Sequence, residues 1–204
     1  TAENLLCLPD SSYVTHQANT LTISSYSGTS DPVTITRAAT ETIADAEITP
    51  DGSLLAYRYY TGDSTSTIAV IDTRSLESVY NIDTPASFMS VSYGLAPDGS
   101  RLLTAIDGIL EVTDLATGET LHRVQRKEGE DTAAWISVLS DSLAELRTLS
   151  GTVIYDYVAG TPTITHPLAM PSVYALSDHE NKEITIVDAE GNSTTFRYNG
   201  PEKG

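Results

Sequence analysis

Three short β-rich segments, each closed by an aspartate, recur in this chain at a fixed interval. They are Ala69-Val70-Ile71-Asp72-Thr73, Glu111-Val112-Thr113-Asp114-Leu115 and Val153-Ile154-Tyr155-Asp156-Tyr157, and their aspartates stand 42 residues apart twice running. Gly118 and Gly160 follow Asp114 and Asp156 four residues later. Weaker copies lie at Thr22-Ile23-Ser24 with Gly28 and at Ile186-Val187-Asp188 with Gly191. A period near 40 residues with strand-type composition and no 3.6-residue periodicity is the spacing of a propeller blade, one small antiparallel sheet per repeat. Such a unit cannot bury its apolar face alone, so the copies must stack.

The turns agree with this reading. Thr49-Pro50-Asp51-Gly52-Ser53 and Ala96-Pro97-Asp98-Gly99-Ser100 fall at matching places in two units. Proline presets φ, aspartate bonds its own backbone, and glycine takes a positive φ, so both read as tight turns between strands. Asp107-Gly108 is a two-residue hairpin signal. Between these turns run Val, Ile, Thr, Tyr and Leu, which suit a pleated surface. Leu143, Leu146 and Leu149 carry a helical spacing, but their place in the repeat makes the segment a strand. The expected fold is therefore all-β, a β-propeller of five four-stranded blades in units near 1–42, 43–84, 85–126, 127–168 and 169–200.

The last unit is short. From Asp156 to Asp188 the spacing is 32, about one strand and its turn below the period. That shortfall predicts three strands in the final unit, with the spare N-terminal run Asn4 to Leu8 completing its blade and removing the open edge.

The stretches Ile48 to Tyr57 and Leu95 to Thr104, with Val70-Ile71-Asp72-Thr73 and Val112-Thr113-Asp114-Leu115-Ala116-Thr117-Gly118 after them, resemble the strand-turn-strand units of bacterial YVTN-type and related WD-like propeller repeats. The resemblance is good over residues 43–126 and weaker over 127–200. The Trp-Asp pair of eukaryotic WD repeats is absent, since Trp135 is followed by Ile136. The resemblance implies a fold and a binding or scaffolding role, and carries over no catalytic residue.

Charge narrows the partners. Twenty-eight acids face eleven bases, a net charge of −17. Such a field repels phosphate backbones and anionic lipid, so neither nucleic acid nor a membrane surface is an expected partner. No apolar run is long enough to span a bilayer. Lysine is scarce and Ser and Thr are abundant, as in secreted bacterial surface domains. The expected location is extracytoplasmic (secreted, periplasmic or cell-surface), with a signal peptide removed ahead of Thr1. The lone Cys7 lies in an apolar run and forms no intramolecular disulfide. No cofactor is expected.

Candidate sites are few. Asp45 and Glu47 stand two apart on an expected inner strand, which places both on one face. Two carboxylates near a central channel suit a divalent cation through oxygen ligands, or begin a glycosidase pair. Asp178-His179-Glu180 is a dense polar turn. Glu128, Glu130 and Asp131 form an acidic loop. With Gly62 to Ser66, these loops break the repeat and would gather at a rim, where loops on a rigid scaffold carry function. Tyr57, Tyr59 and Tyr60 around Arg58, and Tyr155 and Tyr157 around Asp156, suit packing between blades or a partner surface. Two functional readings follow. One is a non-catalytic extracytoplasmic binding module that takes a protein or a cationic or carbohydrate ligand at one rim. The other is a carbohydrate-active or metal-assisted enzyme with carboxylates at the channel.

Overall fold

The repeated aspartates are the latches of the blades. In the computed structural model, Asp72 Oδ1 accepts the backbone N–H groups of Arg74 and Ser75 at 2.9 and 2.7 Å. Asp114 does the same for Ala116 and Thr117, and Asp156 for Val158 and Ala159. The residue after each aspartate, Thr73, Leu115 or Tyr157, donates its N–H to the carbonyl of Ser53, Ser100 or Ser142. The aspartate side chain thus closes its own turn, and the backbone N–H of the next residue pins that turn to the preceding one. These donors hold the Asp72 and Asp114 carboxyls below the usual carboxylate range, with the N–H groups of Ser75 and Thr117 contributing most. Gly52 and Gly99 take φ of +75° and +72°, as the Pro-Asp-Gly turns require. Asp107 and Gly108 both have positive φ, the signature of the hairpin turn whose twist matches its strands.

The structure describes residues 4–7, 12–25, 32–61, 64–86, 91–125, 135–148, 151–167, 174–178, 183–187 and 193–197. Among them are nineteen strands in five antiparallel sheets and no helix. The first sheet holds β1 (Asn4–Cys7), β2 (Ser12–Gln17), β3 (Thr20–Ser25) and β4 (Val33–Thr36). The second holds β5 (Thr42–Ile48), β6 (Leu54–Tyr60), β7 (Thr65–Asp72) and β8 (Ser78–Pro85). The third holds β9 (Val91–Leu95), β10 (Arg101–Ile106), β11 (Ile109–Asp114) and β12 (Thr120–Gln125). The fourth holds β13 (Trp135–Val138), β14 (Leu143–Thr148), β15 (Gly151–Asp156) and β16 (Thr161–Pro167). The fifth has three strands, β17 (Tyr174–Asp178), β18 (Glu183–Val187) and β19 (Ser193–Arg197). Strands pair in sequence order within each sheet. The first strands of neighbouring sheets lie side by side, β1 on β5, β5 on β9 and β9 on β13, so they form the inner edge of the array.

Two expectations from the sequence need correcting. The N-terminal strand does not complete the last blade: Asn4–Cys7 pairs with β2 and is the inner strand of its own sheet. The run from Ser12 supplies only three strands before β5, so the first sheet reaches four only by using β1. Thr65 and Ser66 are not loop either. They extend β7, where Ser66 Oγ lies 2.7 Å from Thr84 Oγ1 on β8.

The core is a series of seams between sheets, set by alternation along each strand. In β6, Leu55, Tyr57 and Tyr59 pack with Val14 and Leu21 of the first sheet. Ala56 faces the other way, with Ile68 and Val70, against Val91, Leu95 and Leu102 of the third sheet. Leu103, Ala105 and Val112 then meet Ile136, Ala144, Tyr155 and Tyr157 of the fourth. The tyrosines therefore serve packing between blades.

The third seam sets up a paired prediction. Tyr157 donates its hydroxyl to the Ser140 carbonyl at 2.7 Å, while the buried Tyr155 hydroxyl has no hydrogen-bond partner. Removing a satisfied hydroxyl costs about 1 kcal/mol, and removing an unsatisfied buried one is neutral or stabilising. Tyr157→Phe is expected to lower stability by that amount in urea unfolding, and Tyr155→Phe to leave it unchanged or raise it. Equal losses in both variants would contradict this assignment.

Candidate functional site

A bulge in β5 builds the site. The register against β6 shifts between Ile43 and Asp45, which turns Asp45 and Glu47 away from the face that carries Ile43, Ala46 and Ile48. Both carboxylates then point into the seam with the third sheet. Arg58 stands opposite Asp45 on β6, and its Nη2 donates to Asp45 Oδ2 at 3.0 Å. The Arg58 side chain is 1% exposed, against 38% for Asp45. Its Nη1 donates to the Val91 carbonyl at 3.4 Å, and Tyr93 donates its hydroxyl to Asp45 Oδ1 at 2.5 Å. Glu47 Oε2 accepts the Leu95 N–H at 3.2 Å. Every member sits on a strand, so the geometry is preformed rather than assembled by loops.

These groups open onto a cavity of about 190 Å³. Asp45, Glu47 and Arg58 line one side, Val91, Ser92 and Tyr93 another, and Trp135 of β13 the third. Three successive inner strands therefore meet here. Ser92 Oγ accepts the Ile136 N–H at 3.0 Å and fixes β13 against β9. Trp135 is 41% exposed.

The Glu47 residue retains some accessible surface, yet its carboxyl end is enclosed by the seam. That enclosure pushes the carboxyl from its ordinary 4.5 up to about 7, with the Leu95 N–H opposing the rise and the Asp45 charge adding to it. Burial beside Asp45 also raises the Tyr93 hydroxyl well above its usual value, so it stays protonated and donating. A carboxyl raised on folding binds more protons in the folded state. Its penalty is absent below about pH 4.5 and complete above about pH 7, reaching about 3 kcal/mol at one pH unit per 1.36 kcal/mol. Glu47→Gln is therefore expected to match the wild type near pH 4.5 and to exceed its stability at pH 8. Urea midpoints measured across that range check this, and parallel curves for the two proteins would contradict it.

The structure thus brings Asp45 and Glu47 onto one face, as the sequence predicts, but seats them in a seam where arginine and tyrosine already hold Asp45. Among the described residues no group of three His, Cys, Asp or Glu side chains gathers as a metal would need. Glu128, Glu130, Asp131, His179 and Glu180 lie outside the described residues; Asp178 ends β17, in register with Glu183. Arg58, Tyr93 and Trp135 were not part of the predicted site. Arg58 was open to detection, because a cation inside an apolar strand must meet an acid. Tyr93 and Trp135 come from other blades, and nothing local marks them.

Inner strands side by side, four-stranded antiparallel sheets and seams of alternating residues define a β-propeller of the WD40 architecture. The chain is similar to the solved C-terminal WD40 domain of Sif2, with a TM-score of 0.62 and 9% identity over 97% of this chain and 58% of that one. It is similar to the β-propeller domain of Myceliophteria thermophila Cps50 (Swd1), with a TM-score of 0.58 and 12% identity over 93% of this chain and 67% of that one. Kluyvelomyces marxianus Hsv2 gives a TM-score of 0.55 and 14% identity over 79% of this chain and 60% of that one. The chain thus spans about three fifths of the length of two of these proteins and two thirds of the third. At such identities the likeness concerns the fold. No family profile matches the chain, and no curated protein sequence matches it.

Proposed function

We propose that this protein is a non-catalytic binding module built on YVTN-type propeller blades and working outside the cytoplasm. The observation that carries the reading is the open cavity at the junction of three inner strands, with Trp135 exposed beside two carboxyl groups. Small preformed hollows with an aromatic wall and a few fixed polar groups are what binding sites look like. WD40 propellers as a class mediate protein association, and the solved neighbours share that fold. The acidic segment with Glu128, Glu130 and Asp131, and the turn Asp178-His179-Glu180, supply negative charge for a basic partner. The enzyme reading needs two carboxyl groups free to act on one bond. Asp45 is pinned by Arg58 at one oxygen and by Tyr93 at the other, which leaves lone pairs to accept further hydrogen bonds but no carboxylate free to act as nucleophile or acid.

A partner recovered by cross-linking, then purified, provides the test. Its affinity is expected to fall about tenfold or more between 50 and 300 mM salt, because salt screens charge-steered association. Replacing Glu128, Glu130 and Asp131 together with serine should flatten that dependence. Steady turnover of aryl glycosides that disappears in Glu47→Gln would sink the non-catalytic reading.

A further inference from the structure

We infer that the cavity between the second, third and fourth blades binds one neutral sugar ring of a glycan, with Trp135 as its stacking wall and the Asp45 and Glu47 carboxyl groups as acceptors for its hydroxyls. This deepens the binding-module reading and rests on it.

Size comes first. At about 190 Å³ the cavity falls below the 300–1,000 Å³ typical of drug-sized ligands. It equals roughly six waters at about 30 Å³ each, enough for one small ring or one side chain. Charge then chooses between ligand classes. An anion is disfavoured by the net charge of −17 and by two carboxyl groups in the wall. A cation would want a free carboxylate, but the Arg58 guanidinium already occupies the cationic position against Asp45 at 3.0 Å. Glu47, pushed up to about 7 by burial, is only about half ionised at neutral pH. With Asp45 paired to Arg58, the cavity carries no more than a partial charge while being rich in hydrogen-bonding groups. A pyranose matches that combination. Its C–H face covers apolar aromatic surface, and its hydroxyls donate to carboxyl oxygens. Because Arg58 and Tyr93 hold Asp45 in place, the acceptor is fixed before the ligand arrives, and little ordering cost remains.

Trp135 is the only tryptophan in the chain, so fluorescence excited beyond the tyrosine absorption band reports on this wall alone. The probes are methyl glycosides and disaccharides of glucose, galactose, mannose and xylose, titrated into the full chain at 50 and 500 mM sodium chloride. At least one is expected to give a saturable change, with a dissociation constant that differs by less than twofold between the two salts. Calorimetry on Trp135→Ala should show at least a tenfold loss, with circular dichroism melting as the check that the variant folds. Glu47→Ala provides a second variant and should weaken binding while leaving tryptophan emission in place. No saturable response from any saccharide overturns the inference. So does unchanged saccharide affinity in Trp135→Ala, or a salt-sensitive response to N-acetyl-lysine methylamide in place of the sugars, which would make the cavity cationic in preference. If the sugars fail while a purified protein partner still binds, only this inference falls.

Discussion

Replacing Asp45 with alanine is expected to lower stability by about 3 kcal/mol, the lower end of the 3–5 kcal/mol typical when one partner of a buried ion pair is removed. The asymmetry of the pair sets the size. Asp45 is partly exposed, but Arg58 is 1% exposed and would lose its 3.0 Å ion pair inside the seam, where water cannot replace it. Tyr93 would lose its acceptor as well. For a domain of this length the melting temperature should fall by roughly 6–12 °C, at about 2–4 °C per kcal/mol. Arg58→Leu in the same background removes the buried charge itself and should recover part of the loss. A thermal-melt double-mutant cycle measures both, and an Asp45→Ala protein within 1 kcal/mol of the wild type would show that the pair matters little.

Gly94→Val should be about as damaging. Gly94 lies on β9 against β13, and a Cβ built there would stand 2.7 Å from Val138 Cγ2 and 3.1 Å from Ile136 Cγ2. Neither strand can slide away freely, because Ser92 and Ile136 are joined by a 3.0 Å hydrogen bond. Overpacking a tight contact costs about 1–3 kcal/mol, and the branched side chain belongs at the upper end. The φ of Gly94 is not in the left-handed region, so the penalty comes from crowding alone. That makes it separable: Gly94→Ala should cost less, and Val138→Ala should relieve it. Urea unfolding of the wild type, both Gly94 variants, Val138→Ala and the Gly94→Ala/Val138→Ala double variant tests the argument, and a Gly94→Ala penalty that Val138→Ala does not reduce would refute it.

The fold was largely legible because its signals are local. Asp72, Asp114 and Asp156 mark turns through bonds to residues two and three positions on, and Gly52 and Gly99 mark turns through their own φ. A repeat of local signals survives without knowledge of the neighbours. Ring closure was not legible, because strand composition does not say which edge a strand pairs with; the three-stranded last unit was correctly expected, and the assignment of Asn4–Cys7 to it was not. The candidate site was half legible. The two-residue spacing of Asp45 and Glu47 is local, and the bulge after Ile43 preserves their shared face. What they face is not local. Tyr93 is 48 residues from Asp45, and Trp135 lies in yet another blade.

The alternation along β6 also bears on how such a chain can change its length. Leu55, Tyr57 and Tyr59 serve the seam on one side, and Ala56 and Arg58 serve the next, so no blade owns its own interfaces. A gene duplication that copied residues 42–85 in tandem would set the Tyr57 and Tyr59 face of the new copy against Ala56, Arg58 and Asp45 of the old one. Asp45 would lose Tyr93, and Glu47 would lose the Leu95 N–H. The turns would tolerate the insertion, because they are interchangeable. The seams would not, so the order of blades is fixed by side-chain chemistry particular to each seam, which the visible repeat conceals.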